Sequence, residues 1–171
     1  MSSAPTPQLQ AIRHVDASAE AVYDLVADIT RTGEWSPENQ GGEWLDGATG
    51  PQVGARFRGR NKRKLSWSTT AVVTESRRGA AFGFAVGKAA PEHPETTWRY
   101  TFTPSGSGCD VTEQCEIVQE PGPVGRFLTK VATGVSWADR PRDLVQGMEV
   151  TLRRLAAAAE QQTTPARDAH A

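Results

Sequence analysis

Two periodicities share this chain. Between Leu9 and Gln119 most segments alternate apolar and polar residues, as strands with one buried face do, and one helical stretch interrupts them. After Gln119 the repeat lengthens to 3.6 residues. From Asp139 to Glu160, Leu144, Met148, Thr151, Leu155 and Ala158 recur at three- and four-residue steps. Arg142, Asp143, Gln146, Glu149 and Arg153 occupy the opposite face. This predicts a helix of about 33 Å laid across a core. The earlier helical stretch, Ala19 to Ile29, carries Val22, Leu25, Val26 and Ile29 on one stripe, with Asp16 or Ser18 in position to cap it. Pro37 ends the helical region, leaving room for a short second helix across Arg31 to Trp35.

The strands follow in order: Leu9 to Val15, a weak Gly41 to Leu45, Ala55 to Asn61, Leu65 to Glu75, Ala81 to Val86, Thr96 to Thr103 and Asp110 to Gln119. Short turns separate most of them, the last being Pro104 to Gly108, and the spacing is that of an antiparallel ladder. Lys88 to Glu95, with Pro91 and Pro94, reads as an exposed loop, and Pro121 to Trp137 as irregular or partly helical. Alternation sorts the strands into faces. Phe57, Gly59 and Asn61 share one; Arg56, Arg58 and Arg60 share the other, which must be wet. Trp67, Thr69, Ala71 and Val73 line up, as do Phe82, Phe84 and Val86; Trp98, Tyr100 and Phe102; and Val111, Glu113, Cys115 and Ile117. This inward face mixes aromatics with small and polar residues, which suits a ligand pocket better than a close-packed core.

Composition adds boundaries. A chain of 171 residues, 37% hydrophobic and 23% charged, is expected to form one soluble domain over 8–162, with loose tails at 1–7 and 163–171. The net charge of -1 gives no global pull toward nucleic acid or anionic membrane. No apolar run reaches membrane-spanning length, and residues 1–7 lack the features of an export signal. A cytoplasmic location without membrane insertion is therefore expected. Cys109 and Cys115 fall on one strand about 20 Å apart, beyond disulfide reach, and are expected as free thiols.

Several motifs then occur in a telling order. Ala17-Ser18-Ala19-Glu20-Ala21-Val22 opens the first helix, and Glu34-Trp35-Ser36-Pro37 closes the helical pair. Val53-Gly54-x-x-Phe57-x-Gly59-x-Asn61 follows, then Trp67, Thr69 and the segment from Gly79 to Val86. Trp98-Arg99-Tyr100-x-Phe102 and Val111-Thr112-Glu113 complete the series. In this order the chain resembles the SRPBCC superfamily, the START-like and polyketide cyclase/dehydrase group. The resemblance implies an α+β helix-grip fold: six or seven antiparallel strands curled around the long C-terminal helix, with two short helices after strand 1. It also implies a cavity between sheet and helix that holds a hydrophobic small molecule such as a lipid or polyketide.

The chemistry-bearing residues are sparse. His14, His93 and His170 are scattered, neither cysteine stands in a C-x-x-C, and nucleotide and nucleophile-elbow patterns are missing, so no metal and no cofactor is expected. Six basic residues between Arg56 and Lys64 read as the solvent face of a strand and its hairpin, not as a nucleic-acid site, because no aromatics interleave for base stacking. The expected apolar walls are Phe57, Trp67, Ala71, Phe82, Phe84, Trp98, Tyr100, Phe102, Cys115 and Met148, with Asn61, Thr69 and Glu113 fixing orientation. Trp35 and the Pro91 loop are placed at the entrance. The cyclases that this chain resembles need an inward arginine and a hydroxyl; after Trp67 the arginine's place is held by Ala71, with Thr69 where the hydroxyl would be. Three readings stand open. One is a binding protein; another is a cyclase- or dehydratase-type enzyme using Glu113 or Tyr100 as acid/base. The last is an interaction module, like the chaperone-activator branch, using the outer sheet face. The oligomeric state is left open.

Overall fold

The alternating segments form seven strands in the computed structural model, which describes residues 8–163: β1 Leu9–Val15, β2 Asn39–Trp44, β3 Arg56–Lys62, β4 Ser66–Arg77, β5 Ala81–Val86, β6 Thr96–Ser105 and β7 Gly108–Ile117. They make one antiparallel sheet in the order β1-β7-β6-β5-β4-β3-β2. Strands β2 to β7 are a simple meander, and β1 adds to the far edge of β7, so the sheet is bounded by its two earliest strands. Helices α1 (Ala19–Ala27), α2 (Pro123–Thr133) and α3 (Arg140–Thr163) complete the chain. This is the helix-grip α+β architecture that the element order predicted. The expected tails lie outside the described residues, except that Thr163 closes α3.

Local chemistry sets the helix ends. Ser18 Oγ accepts the amide of Ala21 at 3.2 Å, which settles the choice of cap between Asp16 and Ser18. Helix α1 stops at Ala27, two residues short of expectation. Asp28 ends it and caps a 3-10 segment, Ile29–Glu34, that replaces the short helix expected at Arg31 to Trp35. The 3-10 segment lies against β2, where a Cβ at Gly41 would meet the carbonyl oxygen of Thr30 at 2.7 Å; glycine there permits the close approach. Helix α2 makes up the helical part of the stretch expected to be irregular or partly helical: Pro123 opens it, and Gly134, left-handed at φ 83°, closes it. The last hairpin is also tighter than expected, since β6 runs through Pro104 to Ser105.

Long-range packing divides the interior. The buried line on α3 runs through Met148, Thr151, Leu152, Leu155, Ala156 and Ala159. It is rotated from the expected stripe, with Ala158 only partly buried. The C-terminal half of α3 lies on β1 and α1, closing a core with Val15, Val22, Leu25, Cys109 and Val111. The two cysteines are free and buried, on one strand. On the outer face, Arg56 bonds Asp46 at 3.0 Å, Arg58 bonds Glu43 at 2.9 Å, and Arg99 bonds Glu75 at 2.7 Å.

Candidate functional site

Inside the other half of the fold, sheet and helices do not meet. The N-terminal half of α3, helix α2, the 3-10 segment and strands β3 to β7 enclose a cavity of about 520 Å³. Cross-strand register assembles its floor. One row runs Phe57, Ala71, Val86, Thr96 and Ile117; another runs Phe84 to Trp98; a third runs Phe82, Tyr100 and Glu113. Phe57 and Phe84 meet edge to face at 5.3 Å, and Phe84 and Phe82 lie at 5.8 Å, so the floor is a packed aromatic surface. Trp67, Thr69, Asn61 and Met148 also line the cavity.

Two expected wall residues do not reach it. Phe102 packs edge to face on Tyr23 at 5.9 Å, in the closed core. Cys115, although on the inward face, is covered at the β1 side, and burial pushes its thiol up to about 12, leaving it inert at neutral pH. Trp35 is a third correction: it is 2% exposed and forms part of the inner wall, with the Arg31 guanidinium 5.7 Å from its ring, and does not sit at an entrance.

The polar groups fall into three sets. Tyr100 donates its hydroxyl to Glu113 Oε1 at 2.6 Å, and both side chains are buried. Burial outweighs that hydrogen bond and lifts the Glu113 carboxyl to about 8, so at neutral pH it is mostly protonated; burial, then the neighbouring Glu113, also raises Tyr100. With Oε1 taken by Tyr100, the proton belongs on Oε2, a buried atom with no hydrogen-bond partner among the described residues. Across the sheet, Asn39 Nδ2 donates to Asn61 Oδ1 at 3.1 Å and Asn61 Nδ2 donates to Thr69 Oγ1 at 3.3 Å. These two sets are borne on β6–β7 and β2–β4, with the aromatic floor between them.

The third set was not legible in the sequence. Arg140 grips Glu38 through two bonds of 2.6 and 2.8 Å and also bonds Asp143; Arg63 bonds Asp143 at 3.1 Å. Asp143, expected on the solvent face of α3, is thus turned to the cavity. Burial pulls the Arg140 guanidinium down, but its bonds to Glu38 and Asp143 outweigh that and hold it above its ordinary value. Two cations and two carboxylates cancel, and they tie α3 to the loop before β2 and to the β3–β4 hairpin. The arginines of this cavity are therefore occupied with carboxylates. Among the described residues no cluster of histidine, cysteine or carboxylate side chains could hold a metal.

The family model described as polyketide cyclase / dehydrase and lipid transport matches residues 6–160. A protein of Chromobacterium violaceum has 17% identity and a TM-score of 0.64, over 90% of this chain and 96% of that one. The di-domain ARO/CYC StfQ from the steffimycin biosynthetic pathway has 16% identity and a TM-score of 0.68, over 91% of this chain and 51% of that one. A Polyketide_cyc-like protein of Corynebacterium glutamicum has 24% identity and a TM-score of 0.54, over 98% of this chain and 100% of that one. At these identities the solved structures speak for the fold alone. No curated protein sequence matches the chain.

Proposed function

The chain belongs to the polyketide cyclase/dehydrase and lipid transport family, and from that premise we propose that its cavity binds an apolar small molecule carrying a hydrogen-bond-accepting oxygen. The observation that carries this reading is Glu113. A buried carboxyl with one oxygen unpartnered costs roughly 1–3 kcal/mol until something meets it. An aromatic floor of Phe57, Phe84 and Trp98 in a space of about 520 Å³ suits a body the size of a small polycyclic or acyl chain. A carbonyl or ether oxygen on that body would accept a hydrogen bond from the protonated Glu113, and the Asn39–Asn61–Thr69 ladder would meet a second polar group across the floor.

Four of the five tryptophans, Trp35, Trp67, Trp98 and Trp137, line the cavity, so their fluorescence reports occupancy. The test compares 2-acetonaphthone with the near-isosteric hydrocarbon 2-isopropenylnaphthalene. The ketone should bind about tenfold more tightly, ~1.4 kcal/mol. That preference should disappear in Glu113→Leu and well above the pKa of about 8. Equal affinity for the two compounds in the wild type removes Glu113 from the proposal, and no saturable binding of either removes the cavity.

One observation favours a second reading. A carboxyl kept protonated near neutrality and bonded to a tyrosine is poised as a general acid, so a bound β-ketone chain would have its carbonyl polarised toward enolisation, cyclisation or loss of water. Glu113→Gln separates the two, because the amide still donates a hydrogen bond but transfers no proton. Binding with retained affinity and abolished turnover of a poly-β-ketone substrate supports the enzyme.

A further inference from the structure

Helix α2 carries an apolar stripe that the other described residues leave uncovered. Val124, Phe127, Leu128 and Val131 stand at i, i+3, i+4 and i+7 and are 73, 65, 57 and 42% exposed. The cavity-facing side of the same helix is formed by Thr129, Ala132 and Thr133. Such a stripe normally faces a core, and packing within the described residues does not account for it.

The β3–β4 hairpin extends this patch. The amides of Lys64 and Leu65 both donate to the Ala132 carbonyl at 3.0 Å, which fixes the half-exposed Leu65 at the C-terminal end of α2. The charge around the patch has one sign. Neither 123–133 nor 61–66 contains an aspartate or glutamate. Arg63 turns inward to Asp143 and Arg126 is paired with Glu120, but Lys64 and Lys130 form no ion pair among the described residues. A chain of net charge -1 thus sets two cations without an ion pair beside an exposed apolar stripe.

We propose that the α2–hairpin patch docks on an anionic lipid bilayer, with Val124, Phe127, Leu128 and Val131 entering the headgroup region and Lys64 and Lys130 meeting lipid phosphates. An amphipathic helix with basic flanks lies in the interface plane in this way. A second copy of the chain is a poorer occupant: a two-fold contact would bring two copies of the same lysines, Lys64 and Lys130, into one interface with no carboxylate from 123–133 or 61–66 to meet them. Leu128 belongs both to the exposed stripe and to the cavity wall, so docking sets one wall of the cavity against the bilayer. Docking itself stands independently of what the cavity binds.

The experiment sediments the full chain with phosphatidylcholine–phosphatidylglycerol vesicles and with phosphatidylcholine alone. The protein should pellet with the anionic vesicles, less so as salt is raised. Phe127→Asp should weaken that binding at least tenfold with unchanged circular dichroism and melting. Replacing Lys64 and Lys130 by Gln together should cost about twenty-fivefold, from about fivefold for each lysine near an anionic surface. Arg58→Gln, on the outer sheet face, should change nothing. The proposal is overturned if the protein stays in solution with anionic vesicles, or if pelleting survives both sets of substitutions. A dimer in sedimentation velocity that Phe127→Asp dissolves, with vesicles ignored, would instead make the patch a self-interface.

Discussion

Helix α3 is one continuous element over two unlike interiors. Its C-terminal half buries Leu152, Leu155, Ala156 and Ala159 at no more than 2% exposure against β1 and α1. Its N-terminal half presents Arg140, Asp143, Leu144, Gly147, Met148 and Thr151 to a cavity. Aliphatic side chains that interlock fill space; small and polar ones, with two ion pairs at the end, leave it open. The sheet shows the same division, with Val15, Cys109 and Val111 under the closed half and Ala71, Gly59, Thr69 and Asn61 under the open one. The closed half carries the interlocked apolar packing, and the open half is held chiefly by the ion pairs at its end.

Removing α3 tests both halves at once and should have the largest effect. A chain ending before Asp139 exposes the inner face of the sheet and should lose its cooperative melting transition in circular dichroism. Within the closed half, Leu155→Ala should cost about 2–5 kcal/mol in urea unfolding, because the site is fully buried and cannot collapse easily. If it costs less than about 1 kcal/mol, the two halves are not different in kind. In the open half, Arg140→Met breaks the bonds to Glu38 and Asp143. Its cost should fall at or below the low end of the ~3–5 kcal/mol for a broken buried pair, since Arg63 still serves Asp143 and the carboxylates keep some water.

Glu113 gives the open half a pH signature. Its carboxyl rises from 4.5 to about 8 on folding, so the folded state holds more protons between those values. Stability is therefore full below about 4.5 and declines as pH rises, levelling above about 8. From about pH 6 to about pH 8 the loss should be about 2 kcal/mol, at most about 1.4 per pH unit. Glu113→Gln should flatten that part of the profile in thermal melts, and an unchanged slope would assign it to another group.

Much of this was legible because periodicity is a local property. Alternation set Glu113 on the inward face with Val111 and Cys115, and the 3.6-residue repeat located α3. Alternation names a face, however, and not a place along a curved sheet, which is why Phe102 and Cys115 were expected at the cavity when α1, α3 and β1 cover them. The Arg140 cluster joins residues 102 positions apart, so no local pattern could turn Asp143 inward. Helix α2 did have a signal, in Val124, Phe127, Leu128 and Val131, but Gly125 and the flanking prolines and glycines obscured it. The smallest expected effect on stability belongs to Ala71, which sits opposite Phe57 and lines the cavity. Ala71→Phe should cost well under the ~1–3 kcal/mol of overpacking a filled core, because the ring has empty space to enter.

That substitution supplies the most direct test of the central claim, that sheet and helix enclose space meant for an apolar guest. The measurement is a fluorescence titration of N-phenyl-1-naphthylamine into the wild type and Ala71→Phe, each checked for its melting temperature. The account predicts saturable one-to-one binding to the wild type, at least tenfold weaker binding to the variant, and nearly equal melting temperatures. A wild type that takes up no probe, together with a strongly destabilised Ala71→Phe, would mean that the interior is a packed core throughout.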